Sequence, residues 1–378
     1  MRKKNDDRLR QKIITGGFIV MLFLPGLSWA ICGPIIEEDR SENRTLASKP
    51  VFDIRGVEKF PKQFDAYYND HVPFRGVIRE AWTKLNVELM HDSIAKSVVI
   101  GDSDGKGTNK SWLFYSEMND RSPVFGVQGI QKASDVDKQL AIDNIERQTK
   151  LFEEQGKNFY FLMIPNKENI YREYLPGNID IYNDSSRDEQ VFEALHKAGF
   201  DNVLYVKDEI VNAKKLGQLY YKQDTHWNEL GAFYGYKAFM QEAEPNFDEY
   251  SYAISVDEDA NLNKDLAMFL GLRNYFVDDN IRVKYLDDNN VDVEKSGNGT
   301  KQIVVSTNQE PIIDKDVLLV GDSYRVAFVP YIQKVYRHVI SMHRDAYDKK
   351  KLNEYDPDIV ISEAVERYGA SAAKFSFL

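Results

Sequence analysis

The chain has 378 residues, and 49 Lys and Arg stand against 60 Asp and Glu for a formal net charge of −11. That length buries a sizeable core as one large domain or two modest ones. With no basic stripe beyond the N-terminus, nucleic acid is excluded as a partner, because phosphate binding needs clustered Lys and Arg.

Arg2, Lys3, Lys4, Arg8, Arg10 and Lys12 make residues 1–12 a basic tail, followed by an uncharged run over 13–36 and then by Glu37, Glu38 and Asp39. Such a run is long enough to span a bilayer with the basic end in the cytoplasm, which predicts a transmembrane signal anchor. The competing reading is a cleaved signal peptide, with a breaker at Pro25-Gly26 and a small-residue site at Ser28-Trp29-Ala30. Both readings export the rest of the chain, to the periplasm or the cell surface. Cys32 is the sole cysteine, so an intramolecular disulfide and a thiolate zinc site are both excluded. Trp29, at the third position before Cys32, argues against a lipoprotein anchor.

Residues 37–60 read as a juxtamembrane segment, rich in charge and containing Pro50. Helical spacing of Phe64, Tyr67, Tyr68, Ile78, Trp82, Leu85 and Leu89 predicts helix over 61–91, interrupted near Val72-Pro73. This opens a domain expected to occupy 61–378. A Gly, Asp and Ser rich loop over 101–111 precedes the aromatic run Trp112-Leu113-Phe114-Tyr115, read as core. From about residue 134 helix and strand alternate. Strands are predicted at 158–164, 203–206, 317–320, 338–342 and 358–361, and helices at 134–155, 189–197, 228–243 and 330–337. Alternation of this kind is the mark of an α/β fold, a parallel sheet flanked by helices. Residues from about 245 to 315 break it, being acidic and Asn-rich. They read as an insertion containing a β-hairpin, with strand-like 281–285 and 302–306.

Two motifs carry the chemistry. Asp224-Thr225-His226-Trp227-Asn228 and Gly321-Asp322-Ser323-Tyr324 together supply a carboxylate, an imidazole and a hydroxyl. A serine hydroxyl is a poor nucleophile until a base takes its proton, and the base needs a third group to hold its tautomer. Ser323 as nucleophile, His226 as base and Asp224 as orienting acid meet that need. Alone, Gly-Asp-Ser is an ordinary turn and His226 an ordinary residue at a helix start. Their co-occurrence carries the reading. Asn228 is placed to cap the helix that follows, and the backbone N–H of Ser323 or Tyr324 is a candidate oxyanion donor.

Ligands of open parallel sheets sit at the carboxyl ends of the strands. On that ground Asn166, Lys167, Tyr324, Arg325 and Arg367 join Trp227 and Asn228 as candidate substrate-binding residues. His71, in Asn69-Asp70-His71, reads as a structural turn residue before a functional one. No His-Glu-x-x-His or Gly-x-x-x-x-Gly-Lys-Ser spacing occurs, and no cofactor or metal is expected. His226 with nearby Asp residues leaves a metal open in principle.

These motifs resemble the extracytoplasmic alginate O-acetyltransferase family of the AlgX/AlgJ type, whose domain is SGNH-hydrolase-like. The resemblance rests on Asp224-Thr225-His226-Trp227-Asn228 and Gly321-Asp322-Ser323. It is supported by Glu42-Asn43-Arg44-Thr45-Leu46, Asn69-Asp70-His71 with Phe74-Arg75, Trp112-Leu113-Phe114-Tyr115, Pro165-Asn166-Lys167 and Glu366-Arg367-Tyr368. It implies the permuted order seen here, the Asp/His block preceding the Ser block. It also implies a polysaccharide acceptor, an acetyl-Ser323 intermediate, and a membrane-bound O-acyltransferase as acetyl supplier. An acetylesterase using the same triad, and a non-catalytic polysaccharide-binding subunit, are the alternatives.

Overall fold

A strand buried on both faces must be apolar throughout, and Val317-Leu318-Leu319-Val320 is such a stretch, with none of the four exposed. In the computed structural model, which describes residues 2–32, 46–52, 56–71, 75–93, 95–105, 107–116, 122–260, 262, 264–286 and 290–377, it lies in the middle of the main sheet. The chain divides into two compact units, Met1–Met90 and His91–Leu378.

The N-terminal unit holds α1 (Arg2–Cys32), α2 (Phe60–His71) and α3 (Arg75–Met90). The helices expected to open a domain at residue 61 therefore group with the N-terminus. Among the described residues no helix is long and apolar enough to cross a membrane, so the expected anchor over 13–36 has no support from the structure. Helix α1 runs unbroken through Pro25-Gly26, and 33–45 and the interruption at 72–74 lie outside the described residues. Asp70 accepts the Ala47 N–H at 2.8 Å, and the His71 ring meets the Tyr67 carbonyl at 2.8 Å. Both residues tie α2 down locally.

The second unit opens with a hairpin of β1 (Val98–Ser103) and β2 (Ser111–Tyr115). The predicted loop is thus partly strand, and the aromatic run is β2, its Trp112, Leu113 and Phe114 buried. After α4 (Pro123–Gln128) and α5 (Asp135–Glu154) come β3 (Asn158–Ile164), α6 (Lys167–Ile170), α7 (Arg187–Lys197), β4 (Val203–Tyr205), α8 (Lys207–Ala213) and α9 (Glu229–Ala243). Ser134 caps α5 and Ser186 caps α7 with a full capping box. Next are β5 (Tyr252–Ala260), α10 (Asp265–Phe269), β6 (Asp278–Tyr285), β7 (Val291–Ser296) and β8 (Ile303–Asn308). The chain closes with β9 (Ile313–Gly321), α11 (Arg325–Ile332), β10 (Tyr336–His343), α12 (Lys350–Tyr355), β11 (Ile359–Val365) and α13 (Gly369–Ala372).

The main sheet has seven strands in the order β4-β3-β11-β9-β10-β8-β7. Its first five are parallel, whereas β8 runs antiparallel to β10 and β7 antiparallel to β8. The sheet is mixed, which corrects the purely parallel expectation. The stretch read as an insertion splits in two: β5 pairs with β6 as a separate ribbon, and the β7–β8 hairpin extends the main sheet. Helix α11 begins five residues before the predicted start and contains Pro330. Pro330 removes one hydrogen bond and crowds the carbonyl four residues before it, and the helix ends two residues later at Ile332.

Side chains alternate between two cores, as the pleat requires. Leu162, Ile164, Val317 and Leu319 pack in one core with residues of α8, α9 and α11, while Phe161, Met163, Leu318 and Val320 pack in the other with residues of α5, α7 and α13. The carboxyl ends of β3, β9 and β11 then lie side by side. They carry Asn166, Ser323 and Glu366-Arg367 respectively.

Candidate active site

Gly321 ends β9, and the turn after it is sharp because a buried acid sits beneath it. A Cβ on Gly321 would lie 2.0 Å from Glu363 Oε2, so only glycine fits there. Glu363 Oε2 accepts the Asp322 N–H at 2.9 Å. Asp322 in turn accepts the N–H groups of Tyr324 (3.0 Å) and Val365 (2.8 Å). Burial first, and the Asp322 charge second, push the Glu363 carboxyl well above its usual range. These bonds fix the turn and leave Ser323 exposed at its tip.

The Asp-His segment is a loop closed by an antiparallel bridge between Tyr220 and Trp227, with Tyr221 N–H donating to the His226 carbonyl at 3.2 Å. Asp224 Oδ1 accepts the His226 N–H at 3.0 Å and faces His226 Nδ1 at 2.6 Å. Its Oδ2 accepts the Asp265 N–H at 3.1 Å. The other ring nitrogen, Nε2, lies 2.7 Å from Ser323 Oγ. Ser323, His226 and Asp224 thus form one chain of hydrogen bonds, although His226 and Ser323 are 97 residues apart.

Burial works against the imidazolium, yet the Asp224 hydrogen bond and charge, joined by Asp265, hold His226 above its ordinary value. Burial also opposes the Asp224 carboxylate, and the His226 bond and charge outweigh it, keeping that pKa below the usual value. With Asp224 on Nδ1, the lone pair of a neutral ring faces Ser323. That is the tautomer a base needs.

The loop is tied to the serine turn at two points. Tyr324, fully buried, donates its hydroxyl to the Thr225 carbonyl. Trp227 Nε1 donates to the Tyr324 carbonyl at 3.0 Å. Trp227 is stacked on Phe328 and fits against α9 because Gly235 leaves room, a Cβ there falling 2.6 Å from the indole. Asn228 caps α9, accepting the Gly231 N–H at 3.0 Å. Trp227, Asn228 and Tyr324 are therefore bracing residues. The Tyr324 N–H belongs to Asp322, so of the two expected oxyanion donors only the Ser323 N–H is free among the described residues.

Of the strand-end candidates, Asn166, Lys167 and Arg325 are buried. Lys167 is buried and donates to the carbonyls of Tyr221 (3.2 Å), Lys222 (3.0 Å) and Asp224 (2.7 Å), bracing the histidine loop from behind. Burial lowers its ammonium to about 8. Lys167→Met keeps the stem but leaves the Tyr221 and Asp224 carbonyls unpaired, whereas the Lys222 carbonyl keeps the Leu113 N–H at 2.8 Å. At about 1–3 kcal/mol for each buried group, a clear fall in Tm together with lost activity is expected. An unchanged melting curve would contradict the bracing role. Asn166 is buried, its N–H on Glu366 Oε2 at 2.9 Å and its Oδ1 accepting from Arg367 at 3.3 Å. Arg325 turns inward to the Asp322 carbonyl at 2.6 Å. Arg367 is half-buried, with Tyr115 and Tyr324 rings 5.8 and 5.6 Å away.

Asp265 and Glu363 have no place in the motifs. Asp265 accepts the Thr225 N–H (2.8 Å) and hydroxyl (2.6 Å), and burial together with the Asp224 charge raises its pKa. Nothing in its sequence neighbourhood marks it. Glu363 did leave a signal, a lone acid inside the otherwise uncharged strand Ile359–Val365. Asp224, His226 and Asp265 offer ligand atoms within 4.8 Å of one another. Asp224 Oδ1 and His226 Nδ1 are already joined and both Asp265 oxygens serve Thr225, so these atoms are engaged in orienting the imidazole and its loop.

A cavity of about 670 Å³ opens beside Ser323 and His226, bounded by α11, the start of α9 and β6. Tyr221, Val283, Val326, Ala327, Pro330 and Tyr331 contribute to its wall.

Residues 107–352 match the family described as "SGNH hydrolase-like domain, acetyltransferase AlgX". The chain belongs to that AlgX-type acetyltransferase family. It is similar to the probable alginate O-acetylase AlgJ of Pseudomonas syringae pv. tomato, 22% identical over 223 residues, 57% of this chain and 51% of the relative. The chain thus spans about half the length of that curated relative. Among solved structures, a DHHW family protein from Eubacterium siraeum is similar with a TM-score of 0.54 at 16% identity, covering 76% of this chain and 98% of that one. Bacillus cereus PatB1 with a sulfonyl adduct gives a TM-score of 0.53 at 16% identity, over 73% of this chain and 100% of PatB1. At such identities the likeness is one of fold. In this AlgX-type chain the two halves of the triad arrive in the order Asp/His then Ser.

Proposed function

We propose that this chain is a serine O-acetyltransferase that carries an acetyl group on Ser323 and passes it to hydroxyls of a polysaccharide outside the cytoplasm. The observation that carries the reading is His226, whose two ring nitrogens lie 2.7 Å from Ser323 Oγ and 2.6 Å from Asp224 Oδ1. His226 Nε2 takes the Ser323 proton as Oγ attacks the acetyl carbonyl. Negative charge on that carbonyl oxygen falls near the Ser323 N–H and the start of α11. His226 then protonates the leaving oxygen as the donor's bond breaks. In the second half a sugar hydroxyl gives its proton to His226, attacks the acetyl-serine and restores the free Oγ.

Family membership supports an acetyl group, and the relative named as an alginate O-acetylase supports a polysaccharide as acceptor. The basic tail and uncharged run at the N-terminus support export. Acetyl supply by a membrane-bound O-acyltransferase belongs to the same proposal. One observation favours a second reading, an acetylesterase: Ser323 is exposed, so water reaches the acyl-enzyme. The purified chain, given p-nitrophenyl acetate with and without oligosaccharides, separates the two. Acetylated sugar is the expected product, and acetate alone in the presence of sugar would favour the esterase.

The base must be neutral, so kcat/KM is expected to fall as pH drops through the His226 pKa. The acid limb should have its midpoint above the ordinary imidazole value of 6.5. Asp224→Asn removes the first favourable contact and should move that midpoint down. A limb that stays in place in the variant would count against the pairing.

A further inference from the structure

The cavity beside Ser323 has a chemical character that an acetyl group does not use. Val326, Ala327, Pro330 and Tyr331 of α11 form one side of it, and Val283 of β6 adds to the wall. Val326 is 64% exposed, a branched apolar side chain one turn from the nucleophile with water over it. Most polar groups around the cavity are already engaged. The Glu229 carboxylate accepts from Arg282 at 2.7 Å and from the Val283 N–H at 2.8 Å. Tyr331 donates to the Glu229 carbonyl at 2.8 Å, and Lys334 to the carbonyls of Tyr285 (2.7 Å) and Leu286 (3.1 Å). Among the described residues the Tyr221 hydroxyl is the one side-chain group of the wall without a partner, beside the free Ser323 N–H. Sugar hydroxyls laid along this wall would lose water and gain few hydrogen bonds, whereas methylenes would gain by burial.

We infer that this cavity is an acyl-chain site, and that the group carried on Ser323 extends beyond acetyl to linear acyl chains of the butanoyl to octanoyl class. The inference rests on the acyl-serine reading. From Val326 to Tyr331 the helix advances about 7.5 Å, room for several methylenes beyond the carbonyl and far more than acetyl fills. In the transfer, the Ser323 Oγ–acyl carbon bond forms as the ester's carbon–oxygen bond breaks. The Ser323 proton passes to His226 and then to the departing oxygen unless that oxygen leaves as a stable anion.

The test is a chain-length series of p-nitrophenyl esters, acetate through octanoate, on the full chain, with Ser323→Ala as blank. A rise in kcat/KM of roughly twofold to fourfold per added methylene is expected up to hexanoate. Val326→Asp places a charge in the cavity at an exposed position, and Ala327→Trp fills it. Each should lower the hexanoate-to-acetate ratio at least tenfold. A wild-type ratio at or below one, or a ratio unmoved by both variants, would overturn the inference while leaving acetyl transfer standing. No Ser323-dependent turnover of any ester, acetate included, would remove the acyl-serine reading and this inference with it.

Discussion

Ser323→Ala is expected to remove acyl transfer, by roughly 10⁴–10⁶-fold in kcat, while the protein folds as before. The size follows from the chemistry. Without Oγ there is no atom to hold the acyl group, and what remains is binding and whatever donors face the oxyanion. The unaltered fold follows from the structure: the turn is held by the carboxyl groups of Asp322 and Glu363, and the Ser323 side chain is exposed with His226 as its partner. A melting temperature equal to wild type alongside the lost activity is the expected pair of results. Retained transfer would end the nucleophile assignment, and a large fall in Tm would mean that the side chain is structural.

The second large effect concerns the pair behind the serine. His226→Ala should cost nearly as much as Ser323→Ala, and the double variant little more than either, because the two act as one unit. Asp224→Asn should cost roughly 10²–10⁴-fold. It replaces the acceptor that fixes the Nδ1 proton with a group equally able to donate, so the ring spends time in the tautomer whose Nε2 carries a proton. Asp224 also accepts backbone N–H groups of His226 and Asp265, so a small loss of stability accompanies the change. Rates of single and double variants compared in one ester assay settle the matter: losses that multiply would contradict a coupled pair.

The contrast between the triad and its surroundings has a physical basis. Ser323 and His226 were legible because each sits in a short contiguous motif whose residue types have few other reasons to cluster. The parallel strands were legible for a similar reason, being apolar runs such as Val317-Leu318-Leu319-Val320 between helical stretches. The strand-end candidates were harder. Position after a strand places a residue at the correct edge of the sheet but not its side chain's direction, and Lys167 and Arg325 both turn inward to backbone carbonyls. Asp265 reaches the site by a crossing of the chain from a region with no alternating pattern, and no local signal announces it. The β7–β8 hairpin falls in the acidic, Asn-rich stretch that reads as an insertion, and its outer strand is charged and exposed, as edge strands are. Its place on the main sheet is decided by pairing with β10 alone.

The most direct test of the central claim is intact-mass spectrometry of the protein during turnover of an activated acetyl ester, followed by peptide mapping. One acetyl adduct on Ser323, which disappears faster when oligosaccharide is added and reappears as acetylated sugar, is the predicted result. An adduct on another residue, or acetylated sugar with no adduct and full activity in Ser323→Ala, would contradict it.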